Sequence, residues 1–140
     1  MEVVFFIYGL AFFILGFAIL LYPKKDSSFD LSKYIKFVAF FGILHGINEW
    51  LDLFILIEHL ANPLPLKIIR MGTLPVSFIF LVHFGSKVLG SRSSSPNIYR
   101  FLTVILSLIW AVVFLAGPRT MLMWDVWSRY ILGIPGAFLT

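Results

Sequence analysis

The first long segment of the chain, from Val3 to Tyr22, contains twenty residues and no charged side chain. A transmembrane α-helix needs about 20 predominantly apolar residues, because the hydrocarbon core of a bilayer is about 30 Å thick. In lipid every backbone polar group must be paired within the protein, which leaves only helices and closed barrels as spanning structures. We therefore predict that this segment is a retained membrane-spanning helix.

Further apolar segments follow at short intervals. The chain is 60% hydrophobic and only 13% charged, whereas about a quarter of the residues of a soluble domain are charged. We predict an all-α integral membrane protein, a helical bundle of four full transmembrane helices plus the first half of a fifth, forming a single domain over residues 1–140. The predicted spans are about 3–22, 35–57, 66–89, 98–116 and 130–140.

The loops and the end of the chain suggest an orientation in the membrane. Seven basic residues lie in the loops 23–36 and 87–100, and four lie on the opposite side. Because basic residues favour the cytoplasm, we expect a multi-pass protein of the inner (cytoplasmic) membrane with its N-terminus outside the cytoplasm. The fifth segment reaches only about 16 Å at 1.5 Å per residue, so we expect the chain to continue beyond Thr140. The net charge of +4 is explained by these loops and does not indicate nucleic-acid binding.

The second span carries polar residues at membrane depth. His45, Asn48, Glu49 and Asp52 lie inside the apolar stretch 37–57. Each ionisable group there costs roughly 2.5–3.5 kcal/mol on insertion scales, so such residues usually have a function. His45, Glu49 and Asp52 have the spacing of one helix face, and His59 continues the line.

The next span offers partners to this face. Spans two and three are antiparallel, so Asp52 and Arg70 are predicted to form a structural ion pair. His45 is expected to lie level with Ser77, and His83 lies nearer the other end of span three.

Four interpretations of this polar face remain open. His45, Glu49 and Asp52 could ligate a divalent metal with help from a second helix or subunit. His45 could be an axial ligand of haem b. His45 and Glu49 could share a hydrogen bond whose charge state depends on pH or on a lipid-soluble ligand, with Asn48 beside them. The residues could also form a network that only specifies helix packing.

Enzymatic activity is not expected from these 140 residues. The sequence contains no serine-nucleophile elbow, glycine-rich phosphate loop or HExxH motif. It contains no cysteine, so disulfides and thiolate metal ligands are excluded.

Four segments together resemble the N-terminal membrane sensor region of bacterial and archaeal PAS–histidine kinases and diguanylate cyclases. They are Phe12-Phe13-x-x-Gly16, Phe41-Gly42-x-x-His45-Gly46-x-x-Glu49-Trp50, Ser77-Phe78-x-Phe80-Leu81-x-x-Phe84-Gly85 and Leu132-Gly133-x-Pro135-Gly136-Ala137. The HGxxEW element is the most specific of these. The resemblance implies a signal-transduction input domain, a homodimer, and a cytoplasmic output domain following Thr140. The alternative is a small transporter or a structural membrane subunit of a larger complex.

Overall fold

The computed structural model describes residues 2–22, 33–57, 63–92, 96–117 and 120–140, and these residues are almost entirely helical, with no β-strand among them. The elements are α1 (Glu2–Leu21), α2 (Ile35–Ile57), α3 (Leu64–Arg92), α4 (Pro96–Ala116), α5 (Met121–Ser128), a π-helical turn (Arg129–Gly133) and α6 (Ile134–Leu139). The all-α prediction is confirmed for this part of the chain.

Three helices, α1, α2 and α3, are long and apolar enough to cross a membrane. The uniformly apolar part of α4, residues 101–116, is shorter than a full span. Many large apolar side chains of α1 and α4 face outward, among them Val3 and Leu115, which are 69% and 78% exposed. In water such surfaces would be costly, so their exposure suits a lipid environment.

The longest helix, α3, lies at the centre of the bundle. It packs against α2 on one side and against α4, α5, the π turn and α6 on the other, while α1 packs mainly on α2. The core brings Phe41 of α2 together with Leu74 and Phe78 of α3 and Leu132 of the π turn. Helix α3 continues through Pro75, where the sequence predicts a kink.

Glycines bring the backbones of α1 and α2 into direct contact. A Cβ atom built on Gly46 would lie 2.6 Å from the carbonyl oxygen of Gly9, and one built on Gly42 would lie 2.8 Å from that of Phe12. The Gly-x-x-x-Gly spacing predicts such a close approach, and the structure confirms it.

The C-terminal helical segment begins at Met121, nine residues before the predicted start of the fifth span. Asp125 and Ser128 make the segment look like a polar membrane interface in sequence, but in the structure they face the bundle. Ser128 is buried, accepts a hydrogen bond of 2.9 Å from Nε1 of Trp110 and donates one of 2.7 Å to the carbonyl oxygen of Trp124. The segment 121–139 forms one run of helix about 28 Å long at 1.5 Å per residue.

The π turn lies directly before Pro135. The amide of Ile134 donates to the carbonyl oxygen of Arg129, five residues earlier, which is the π pattern. A proline has no amide to donate, and its ring clashes with the carbonyl four residues before it in a regular α-helix. The widened turn therefore accommodates Pro135 without ending the helix.

The Trp110–Ser128 hydrogen bond ties α4 to the C-terminal segment and provides a test of this packing. We expect Trp110→Phe to lower the free energy of unfolding by about 1 kcal/mol from the lost hydrogen bond, plus a contribution from the smaller ring. A double-mutant cycle with Ser128→Ala, measured by unfolding in mixed detergent, should give a coupling energy of about 0.5–1.5 kcal/mol. Strictly additive effects would show that the two side chains do not interact.

Candidate functional site

The candidate site is a cluster of buried polar side chains where α2 meets α3 and α5. His45 lies at its centre and is only 3% exposed. Its Nδ1 atom is 3.3 Å from Oγ of Ser77, which lies level with it on α3. The Ser77 hydroxyl in turn donates a hydrogen bond of 2.7 Å to the carbonyl oxygen of Leu74.

An aromatic shell surrounds the His45 ring. Tyr8 and Phe12 approach it from α1, Phe41 lies one turn before it on α2, and Phe78 approaches from α3. The ring centroids lie 4.7–6.4 Å from that of His45. This packing holds the imidazole in one orientation and separates it from lipid.

Two further polar groups lie beside His45 on α2. Nε2 of His45 is 3.7 Å from Oε1 of Glu49, and Glu49 is itself only 3% exposed. Asn48 is completely buried, and neither its amide nitrogen nor its carbonyl oxygen has a hydrogen-bond partner within the described part of the protein. A buried amide without a partner costs about 1–3 kcal/mol, so the position requires an explanation.

A chain of charges extends from this cluster to the C-terminal segment. The guanidinium of Arg70 contacts the carboxylate of Asp52 through Nε and lies 3.2 Å from Oδ1 of Asp125 through Nη2. The second carboxylate oxygen of Asp125 is 3.4 Å from Nε of Arg129. Arg70 therefore links α2 to α5 through one planar group with several donors.

Comparison with models of protein families, with curated proteins and with solved structures finds no match for this chain.

The described residues do not by themselves bring three metal ligands together. The carboxylate of Asp52 contacts Arg70, while Nε2 of His45 lies 3.7 Å from Oε1 of Glu49. Among the residues that the structure describes, no three His, Asp or Glu side chains are grouped so as to hold a metal ion. A metal site at His45, Glu49 and Asp52 that is completed by a second helix or subunit stays a prediction.

The haem interpretation stays a prediction. Both ring nitrogens of His45 face protein groups, Nδ1 facing Ser77 and Nε2 facing Glu49. Four aromatic rings pack around the imidazole. An axial ligand needs a nitrogen directed at the iron and space for the porphyrin, so haem binding at His45 would require these rings to move apart.

The remaining predicted residues lie apart from the cluster. Trp50 packs on α1. Its ring centroid lies 5.0 Å from that of Phe13, with the two rings tilted, and its Nε1 donates to the carbonyl oxygen of Phe6 at 3.4 Å. His83 lies against the ring of Phe37 at 4.6 Å, toward the other end of α3. His59 lies outside the described residues.

Sequence reasoning missed Asp125 and Arg129 as members of the site. Both lie close enough to Glu49 to act on it electrostatically. A signal was present, because Asp125 and Arg129 are spaced i, i+4 and one of them lies between two tryptophans in an otherwise apolar segment. The sequence predicts a membrane interface here because Trp124 and Trp127 flank Asp125, whereas in the structure the carboxylate of Asp125 faces Arg70.

Proposed function

We propose that the chain is a membrane-embedded sensory input domain in which the polar cluster around His45 and Glu49 controls the position of the C-terminal helical segment. One observation carries the proposal: Arg70 joins Asp52 on α2, one turn from Glu49, to Asp125 on α5. A change in charge or hydration at Glu49 alters the field on both aspartates and hence the balance of the two ion pairs. A local electrostatic event can thus bias the packing of a distant helix.

The bundle is proposed to have four full spans, with the C-terminal segment crossing as a fifth. Helix α4 has 21 residues, and the C-terminal segment runs from 121 to 139. The proposed orientation has the N-terminus outside the cytoplasm. Arg70 is paired with Asp52 and Asp125 within the bundle and so does not count as a loop charge, which leaves three basic residues on that side against seven in the loops 23–36 and 87–100. From the resemblance to membrane sensor regions we also propose that the protein is a homodimer and carries a cytoplasmic output domain.

The proposal is tested on the output of the full-length gene product. We expect His45→Ala and Glu49→Gln to fix that output in one state, because each removes one side of the buried pair. His83→Ala is the matched control, since that histidine lies outside the cluster. Unchanged output in the first two variants would show that the cluster has no signalling role, and a stop codon after Thr140 would favour the small transporter or structural subunit.

The helix movement can be measured directly. The chain contains no cysteine, so spin labels can be attached to single cysteines introduced at Phe54 on α2 and Phe138 on α6, which are 51% and 87% exposed. We expect Glu49→Gln to shift the distance distribution between the labels in lipid nanodiscs, and His83→Ala to leave it unchanged. Identical distributions for the wild type and Glu49→Gln would contradict the coupling.

A further inference from the structure

The hydrogen bonds around His45 determine where one proton must lie. The hydrogen of the Ser77 hydroxyl is donated to the carbonyl oxygen of Leu74, so Ser77 can only accept from His45. Nδ1 of His45 therefore carries a hydrogen. In a neutral imidazole only one nitrogen does so, which leaves Nε2 with a lone pair directed at Glu49.

A lone pair facing an ionised carboxylate is repulsive, so the arrangement favours a proton on one of the two groups. That proton can belong to the carboxyl group of Glu49, which then faces Nε2, or to Nε2 of an imidazolium that faces a carboxylate. In both cases the pair carries no net charge. The structure therefore assigns one bound proton to the pair rather than to either residue alone.

The balance of charges around the pair also indicates one bound proton. The charged and titratable groups around the pair are Tyr8 from α1, Asp52 on α2, Arg70 from α3, and Asp125 and Arg129 from the C-terminal segment. The two arginines balance the two aspartates. With the proton bound, the whole cluster is neutral; without it, the cluster holds one uncompensated negative charge at membrane depth, which is costly.

The unpartnered amide of Asn48 adds a donor and an acceptor beside the pair. The separation of 3.7 Å between Nε2 and Oε1 is too long for a direct hydrogen bond. The pair therefore retains hydrogen-bonding capacity that an adjacent amide can meet. Asn48 lies on the adjacent turn of the same helix, three residues from His45, and is fully buried.

We infer that the pair formed by His45 and Glu49 binds one exchangeable proton, with the amide of Asn48 as the adjacent hydrogen-bonding group. The inference builds on the proposed function, because it names the proton as the ligand of the sensory site. Binding forms one N–H or O–H bond at the lone pair of Nε2 or Oε1, and no redox step or further reactant is involved. A sodium ion is disfavoured because one of the two facing atoms is an imidazole nitrogen, while sodium prefers oxygen ligands.

The test is infrared difference spectroscopy of the chain in lipid nanodiscs as the pH is raised. We expect a carboxylic-acid or imidazolium band that disappears on raising the pH, shifts in D₂O, and is absent from both Glu49→Gln and His45→Gln. Glu2→Gln, which alters an exposed carboxyl group on α1, is the control and should leave the band in place. A pH-dependent band that survives either cluster variant, or the absence of such a band from the wild type, would overturn the inference. So would the same spectral change on adding sodium chloride at constant pH.

The role of Asn48 is tested by Asn48→Leu, which has a similar volume and cannot hydrogen-bond. We expect the band to move in frequency while the helical circular dichroism is retained; an unmoved band would show that Asn48 does not interact with the pair. The inference and the proposed function can fail separately. If the pair titrates but its variants leave the output of the full-length protein unchanged, only the proposed sensory function is refuted. If the output depends on Glu49 but no titrating band is found, only the bound proton is refuted.

Discussion

Replacing Arg70 with methionine is expected to lower the free energy of unfolding by up to about 3–5 kcal/mol, the range seen when one partner of a fully buried ion pair is removed. The side chain is 17% exposed, and its guanidinium contacts two carboxylates, those of Asp52 and Asp125. Methionine preserves much of the packing volume, so the loss isolates the charge. Two aspartates would remain close together without a cation between them, and α5 would lose its polar tie to α2. The measurement is reversible unfolding in mixed detergent.

The triple variant Arg70→Met with Asp52→Asn and Asp125→Asn should recover most of that stability, because it removes the uncompensated charges together with the arginine. Arg129→Met is the matched control. Its side chain is 45% exposed, so its ion pair with Asp125 should contribute no more than about 1 kcal/mol. Equal losses for the two arginine variants would mean that Arg70 has no bridging role.

Replacing Gly46 with alanine is expected to separate α1 from α2 at a cost of roughly 1–3 kcal/mol, the usual penalty for adding a methyl group to a filled contact. The new Cβ atom would lie 2.6 Å from the carbonyl oxygen of Gly9 and 3.0 Å from the backbone nitrogen of Phe13. Both atoms belong to the backbone, so no side-chain rotation can relieve the clash. Leucine at the same position should cost more. Because α1 packs mainly on α2, separation of the two helices should be visible as rapid amide hydrogen exchange confined to α1.

Gly72 on α3 is a suitable control for this substitution. A Cβ atom there meets no other atom within 4 Å. Gly72→Ala should therefore be neutral or stabilise the protein by up to about 1 kcal/mol, since alanine favours helix more than glycine does. If both alanine variants behaved alike, helix propensity and not backbone contact would explain the effect at Gly46.

Much of the fold follows from patterns that span a single helix. The apolar stretches predict the helices, and the ends of α2, Ile35 and Ile57, coincide with the predicted span. The spacing of Gly42 and Gly46 predicts the contact with α1, because glycines four residues apart share one face. These features depend on local periodicity, which a sequence displays directly.

The C-terminal segment could not be predicted as well, because its polar residues have two compatible locations. Asp125 between Trp124 and Trp127 suits a membrane interface in sequence terms. Only the position of Arg70 on α3 shows that the carboxylate faces the bundle, and that position depends on how α3 and α5 are arranged in space. The start of the helix at Met121 follows from the same contact.

Within the site, the sequence predicts which residues of adjacent antiparallel helices lie at the same level. It does not predict how their side chains are oriented. Counting residues from the loop places Asp52 beside Arg70 and His45 beside Ser77, as in the structure. The same count cannot show that Arg70 also reaches Asp125, because helical periodicity describes only residues on one helix. The unpartnered amide of Asn48 likewise becomes visible only when the atoms around it are known.

The π turn at 129–133 also determines the rotational setting of the chain beyond it. Ser128, Leu132 and Gly136 are all buried and recur every four residues, a spacing that drifts by about 40° per step in a regular α-helix. The wider turn offsets part of this drift, so Gly136 still meets Leu81 and Val82 on α3. If the turn tightened to an α-helical one, everything after Gly133 would rotate about the helix axis relative to α3. The π turn thus sets the rotation of the following helix at a point one turn away from Asp125, the residue that Arg70 contacts.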